Sequence, residues 1–180
     1  LRPWVEAGTC IIGSQLHPWV NPPFIEELTR ANSFAGNLPR ETERAKLLAL
    51  TEAIETSFGV RPRLYRAGRY GVGPNTARIL TELGYSVDAS VRPFFDYASE
   101  GGPNFRRILP QPYWADREQQ LLELPLTTTF TGLLRGFGED VYAAASRIRP
   151  MTALLSHSRL LNRVTLSPEG MPVDEVIPAL

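Results

Sequence analysis

The chain contains two histidines, His17 and His157, and each closes a short apolar run, Cys10–Leu16 and Met151–Ser156 respectively. Neutral imidazole ligates metals, and near neutral pH it also moves protons. Two imidazoles at the ends of buried strands would suit metal-assisted or acid–base chemistry, because loops converge at strand ends in parallel α/β folds. Other polar residues that close expected strands are Arg66, Asp88 with Ser90, and Thr127. Each has a plainer reading as well: a histidine satisfied within the core, or Arg66 and Asp88 as a structural ion pair.

Several other chemistries lack their residues. There is no G-x-S-x-G elbow and no H-E-x-x-H helix. Gly71-Val72-Gly73 lacks the third glycine and the lysine of a phosphate loop, and reads as a tight strand-to-helix turn. Cys10 is the single cysteine, which excludes an internal disulfide and a cysteine-rich zinc module. It sits inside an apolar run with no nearby base, so it reads as core. The stretch Val91–Arg117 carries Phe94, Phe95, Tyr97, Phe105, Tyr113 and Trp114. Such rings either cover the apolar faces of sugars or cap a core.

The elements that must position these groups alternate. Strands are expected at Cys10–Leu16, Arg61–Arg66, Tyr85–Ser90, Leu121–Leu126 and Met151–Ser156. Helices are expected at Arg40–Phe58, with Gly59 as its cap, at Asn75–Leu83, at Glu139–Arg149, and from Val173 onward. A turn or helix is expected around Pro23–Ala31. Such alternation predicts a mostly parallel sheet with helical crossovers, either an open doubly wound sheet or part of a barrel.

At 180 residues the chain suits one domain, 1–180, and its 43% hydrophobic content can fill a core. Nineteen basic and nineteen acidic residues cancel, which argues against a nucleic-acid partner or a charged membrane surface. No apolar run approaches the ~18 residues of a membrane span. Lys46 is the single lysine among nineteen basic residues. The chain opens on Leu1 with no secretory signal pattern, so an excerpt of a longer protein is expected, its compartment open between cytoplasm and cell envelope.

Four segments in order resemble motifs of the polysaccharide deacetylase family, the NodB-homology or carbohydrate esterase 4 group. They are Ile12-Gly13-Ser14-Gln15-Leu16-His17-Pro18-Trp19, Tyr65-Arg66-Ala67-Gly68-Arg69-Tyr70-Gly71, Gly84-Tyr85-Ser86-Val87-Asp88-Ala89-Ser90 and Leu154-Leu155-Ser156-His157-Ser158. The resemblance implies a distorted (β/α)7 barrel, incomplete at the N-terminus and C-terminus. It also implies metal-dependent hydrolysis of the C–N bond of an N-acetylated sugar, with a divalent metal, zinc, activating water. Carried over, Arg66 positions the base, Asp88 holds Arg66, and His157 is the general acid. His17 and Gln15 would face the metal, and Trp19, Tyr70 and Trp114 the carbohydrate.

Two departures accompany the resemblance. No aspartate precedes Asp88, so the family's paired aspartates have no counterpart in this chain. The second motif carries one histidine rather than two, leaving Gln15 or Asn21 beside His17, and amide oxygens bind zinc less well than imidazole. A non-catalytic carbohydrate-binding homologue or an inactive fragment is therefore the competing expectation. A barrel without its first strands would also expose two sheet edges and invite pairing with another chain.

Overall fold

The computed structural model describes residues 1–148 and 150–166. After a short helix α1 (Arg2–Glu6), the main sheet takes β1 (Ser14–Leu16), β2 (Leu64–Ala67) and β3 (Val87–Asp88). It is completed by β4 (Tyr113–Trp114) and β5 (Leu122–Glu123), in the order β1-β2-β3-β5-β4. The first four strands in that order run parallel and β4 returns antiparallel at one edge. The fold is mixed α/β, and among the described residues the sheet is open at β1 and β4 rather than closed into a barrel.

The crossovers are α2 (Arg40–Phe58) and α3 (Thr76–Glu82). Glu41 and Glu43 in the first turn of α2 complement its dipole, and Gly59, at φ 72°, stops it by donating its N–H to the Glu55 carbonyl. The buried stripe of α2 is Thr42, Glu43, Lys46, Leu47 and Thr51. The apolar residues Ala53 and Phe58 of the same helix are exposed and half-buried. α2 thus turns polar groups inward, and they prove to organise the loops around it.

Register assigns the sheet's faces. Ser14, Tyr65, Asp88 and Glu123 stand in one row and lie buried, as do Leu16 and Ala67. The core there combines Leu16, Leu47, Tyr65, Ile79, Leu80, Leu83, Tyr85 and Leu121. Fully burying each large side chain contributes about 1.5–3 kcal/mol. Alternation sends Gln15, Leu64, Arg66, Val87 and Leu122 to the opposite face, where they are half-buried or exposed.

A second unit holds β6 (Thr128–Thr131) antiparallel to β7 (Asn162–Thr165), joined through α4 (Gly138–Ala145) and α5 (Met151–His157). Its core is Phe94, Phe130 and Leu161, with Val141, Tyr142 and Leu155 packed against them. The strand expected at Met151–Ser156 is helix α5. Pro150 stands at its N-cap, and the run is two-faced: Leu155 packs inward while Leu154 is exposed. A six-residue run of this kind satisfies either period, and here packing selects the helix. The expected turn or helix at Pro23–Ala31 is irregular until a 3-10 turn at Ala31–Ser33. The helix expected from Val173 lies outside the described residues. No described helix is long and apolar enough to cross a membrane.

Candidate functional site at the carboxyl ends of the parallel strands

Because β1, β2 and β3 are parallel and adjacent, their carboxyl ends form one rim, from which His17, the Gly68–Gly71 turn and the segment after Asp88 emerge. The first two are in intimate contact. A β-carbon built on Gly68 would lie 2.5 Å from His17 Nδ1 and 2.5 Å from the Leu16 carbonyl oxygen. Arg69 and Tyr70 follow with φ of 54° and 60°, and Phe94 adopts 67°. Left-handed non-glycine residues each cost about 1–3 kcal/mol and concentrate at functional sites. Three of the five described here lie in this rim's loops.

His17 is half-buried, and burial holds its imidazole below the usual histidine range. Its Nδ1 is buried without a hydrogen-bond partner, and its ring meets Trp19 edge-on at 4.8 Å. Its backbone N–H donates to Asn21 Oδ1 at 3.1 Å, which commits that amide oxygen to shaping the loop. The loop is anchored by Lys46. Its fully buried ammonium donates to the carbonyls of Pro18 (3.0 Å), Asn21 (2.7 Å) and Pro23 (2.6 Å) and lies 2.9 Å from Glu26 Oε1. Trp19 remains 40% exposed. It lines a cleft of about 360 Å³ with Glu26, Leu28, Asn32, Ser33 and Arg69.

Arg66 and Asp88 do not meet. Asp88 faces the helices and Arg66 the opposite side, because one residue of register separates them. Asp88 accepts from Ser90 Oγ, and Ser90 Oγ accepts the Ala67 N–H at 2.7 Å. Beside it Glu123 accepts the Val91 N–H at 2.9 Å. Burial drives both carboxyls up, Asp88 to about 6 and Glu123 to about 9. Glu43, which accepts from Thr76 Oγ1 at 2.5 Å, is pushed to about 7 by burial, and burial raises Tyr65 well above its usual range. These groups brace the sheet from behind the rim.

On the open side the rim is arginine and aromatic. The Arg66 and Arg92 guanidinium carbons lie 5.6 and 5.3 Å from the centre of the Tyr70 ring, which stacks on Tyr97 at 5.6 Å. Arg92 and Arg163 lie 3.7 and 3.3 Å from the centre of Phe95. They are therefore at most about 7 Å apart, where like charges repel by roughly 2 kcal/mol at an effective dielectric near 20. Neither Arg92 nor Arg163 is distinguishable by type among the chain's other arginines, and sequence reasoning missed both. Lys46, unique by type, was the one legible signal for the loop's anchor.

Of the remaining expected residues, Gln15 alone adjoins this rim. Gln15 is exposed on the open face of β1, next to Arg66 in register. Trp114, 48% exposed, lies on β4, the sheet edge opposite β1, four inter-strand steps or roughly 19 Å across. His157 is exposed at the end of α5, which packs on α4 and β7 rather than on the parallel sheet. Among the described residues no three His, Cys, Asp or Glu side chains group as a metal would require. One imidazole whose Nδ1 faces Gly68, with an exposed amide, does not fit a zinc site, which takes about four N, S or O ligands.

No protein-family model and no curated protein matches the chain. Among solved structures, a crystal structure of a candidate polysaccharide deacetylase from Mycobacterium smegmatis is similar at 28% identity, with a TM-score of 0.40. The match covers 54% of this chain and 29% of that one, so this chain corresponds to under a third of that protein's length.

Proposed function

We propose that this chain is part of a polysaccharide deacetylase-type protein whose strand-end rim binds carbohydrate, within a (β/α) barrel that the described strands would partly form. The observation that carries this reading is the adjacency of three motif segments. His17, the Gly68–Gly71 turn and Asp88–Ser90 occupy neighbouring parallel strand ends, with Gly68 fitted against His17. Trp19 offers its exposed ring to a sugar, Tyr70 orders the arginines beside it, Arg66 offers hydrogen-bond donors, and Asp88 supports the rim from within the core.

The reaction such a protein would serve is hydrolysis of an N-acetyl C–N bond, releasing acetate. Zinc, when bound in that family, supplies an activated water. The described donor set does not fit the metal. The single imidazole with Gln15 beside it favours a second reading, a carbohydrate-binding homologue without turnover. Incubating the chain with N-acetylated chito-oligosaccharides, with and without added zinc, and measuring acetate distinguishes the two. Zinc-dependent acetate release supports the hydrolase; binding without release supports the homologue; neither binding nor release contradicts both.

A further inference from the structure

We propose that Arg66, Arg92 and Arg163 form an oxyanion site at this rim, which holds the carboxylate or phosphate of an acidic carbohydrate. The proposal rests on the reading that the rim binds carbohydrate and specifies the charge of the sugar. Ion pairs among the described residues engage Arg30, Arg40, Arg44, Arg61, Arg69, Arg78 and Arg106, but none of these three. The contrast with Arg69 is sharp: three residues from Arg66, it is neutralised by Glu100 and bonded to Ser33.

Their donors are incompletely used. Among the described residues Arg66 donates to nothing, although its Nε is buried. Arg163 gives Nη1 to the Phe94 carbonyl and to Tyr142, leaving Nε buried without an acceptor. Arg92 gives Nε to Thr165 Oγ1 at 3.0 Å and Nη1 to the Tyr97 hydroxyl at 3.1 Å, which leaves Nη2. Buried donors without acceptors are costly, and a planar guanidinium matches two oxygens of a carboxylate or phosphate at once. The rings of Tyr70 and Phe95 hold the guanidinium planes in place before a ligand arrives. All three arginines are half-buried rather than sealed.

Calorimetric titration of the 180-residue chain with glucuronate, glucose phosphate, inorganic phosphate and neutral N-acetylglucosamine tests the assignment. Either acidic sugar should bind at least about tenfold tighter than N-acetylglucosamine, and the advantage should shrink in about 0.5 M NaCl. Arg92→Gln should weaken the acidic sugar about tenfold while the neutral sugar and a cooperative melt are retained, and Arg66→Gln should weaken the acidic sugar more than the neutral one. The preferred acidic sugar tells carboxylate from phosphate. Inorganic phosphate binding as tightly as glucose phosphate would support the arginine site and count against the carbohydrate reading. Equal affinity for acidic and neutral sugars would overturn the oxyanion site and leave the carbohydrate reading standing. Absence of acid binding in a chain that melts cooperatively would also overturn it.

Discussion

His17 and Gly68 are fitted so closely that a methyl group cannot be added between them: the β-carbon would stand 2.5 Å from Nδ1. Gly68→Ala should therefore displace the imidazole and lower stability by about 1–3 kcal/mol, the usual range for overpacking. A depressed melting temperature together with a moved His17 ring resonance is expected. An unshifted resonance in the variant would show that the two residues are not in contact.

Lys46 serves the Trp19 loop from inside the core. Lys46→Met would leave Glu26, whose side chain is 6% exposed, without its counter-ion, and three carbonyls without a donor. Breaking a buried pair in this way costs about 3–5 kcal/mol. Faster proteolytic nicking within residues 18–26 and a red-shifted tryptophan emission should accompany the loss. Wild-type protease resistance would count against the anchoring role.

The buried carboxyls set a pH dependence with a definite sign. Burial raises Asp88 to about 6, Glu43 to about 7 and Glu123 to about 9, so the folded chain keeps protons that the unfolded chain releases near pH ~4. Their contribution is whole below that pH and is lost as pH rises through the folded values, by up to about 1.4 kcal/mol per pH unit per proton. Glu26 has the opposite sign. Burial pushes its carboxyl up, but hydrogen bonds from Lys46 and the backbone outweigh this and hold it below the usual range. Its contribution is therefore lost as pH falls. Melting temperature should peak at weakly acidic pH and decline toward pH ~9, and Glu123→Gln should flatten the alkaline limb. A maximum in alkaline buffer would contradict the assignment.

The two candidate sugar-facing tryptophans should separate. Trp19→Ala should weaken carbohydrate binding about tenfold, in the range of a lost ring contact. Trp114→Ala, at the far sheet edge, should leave it unchanged. Isothermal titration of both variants with one monosaccharide checks this, and equal losses would mean that the ligand lies elsewhere.

His157 lies on the surface of α5 with no described side-chain partner. His157→Ala should change stability by no more than about 0.5 kcal/mol and leave carbohydrate affinity intact. Loss of affinity in this variant would return the residue to the site.

The alternation of β1, β2, β3 and β5 with α2 and α3 was legible because periodicity and a stop such as Gly59 are local signals, whereas the two-residue edge strand β4 within Val91–Arg117 was not. The β6–β7 ladder was not, since it pairs Thr128 with Thr165 across two intervening helices. Nor was the separation of Arg66 from Asp88: it depends on which residue of β2 stands opposite Asp88, and register is a property of the assembled sheet. His17 and the Gly68 turn were found from residue type and position at a strand end. Arg92 and Arg163 needed coordinates, because their significance lies in the lack of an accompanying carboxylate among the described residues.

The most direct test of a carbohydrate-binding strand-end rim is a backbone-amide and indole NMR titration of the chain. The ligand is a disaccharide of N-acetylglucosamine and glucuronate. Resonances of Trp19, Gly68, Tyr70 and Arg92 should shift together along one saturable curve, while Ile12 and Val60, at the other end of the sheet, stay fixed. Shifts confined to Ile12 and Val60, or none at saturating sugar, would contradict the account.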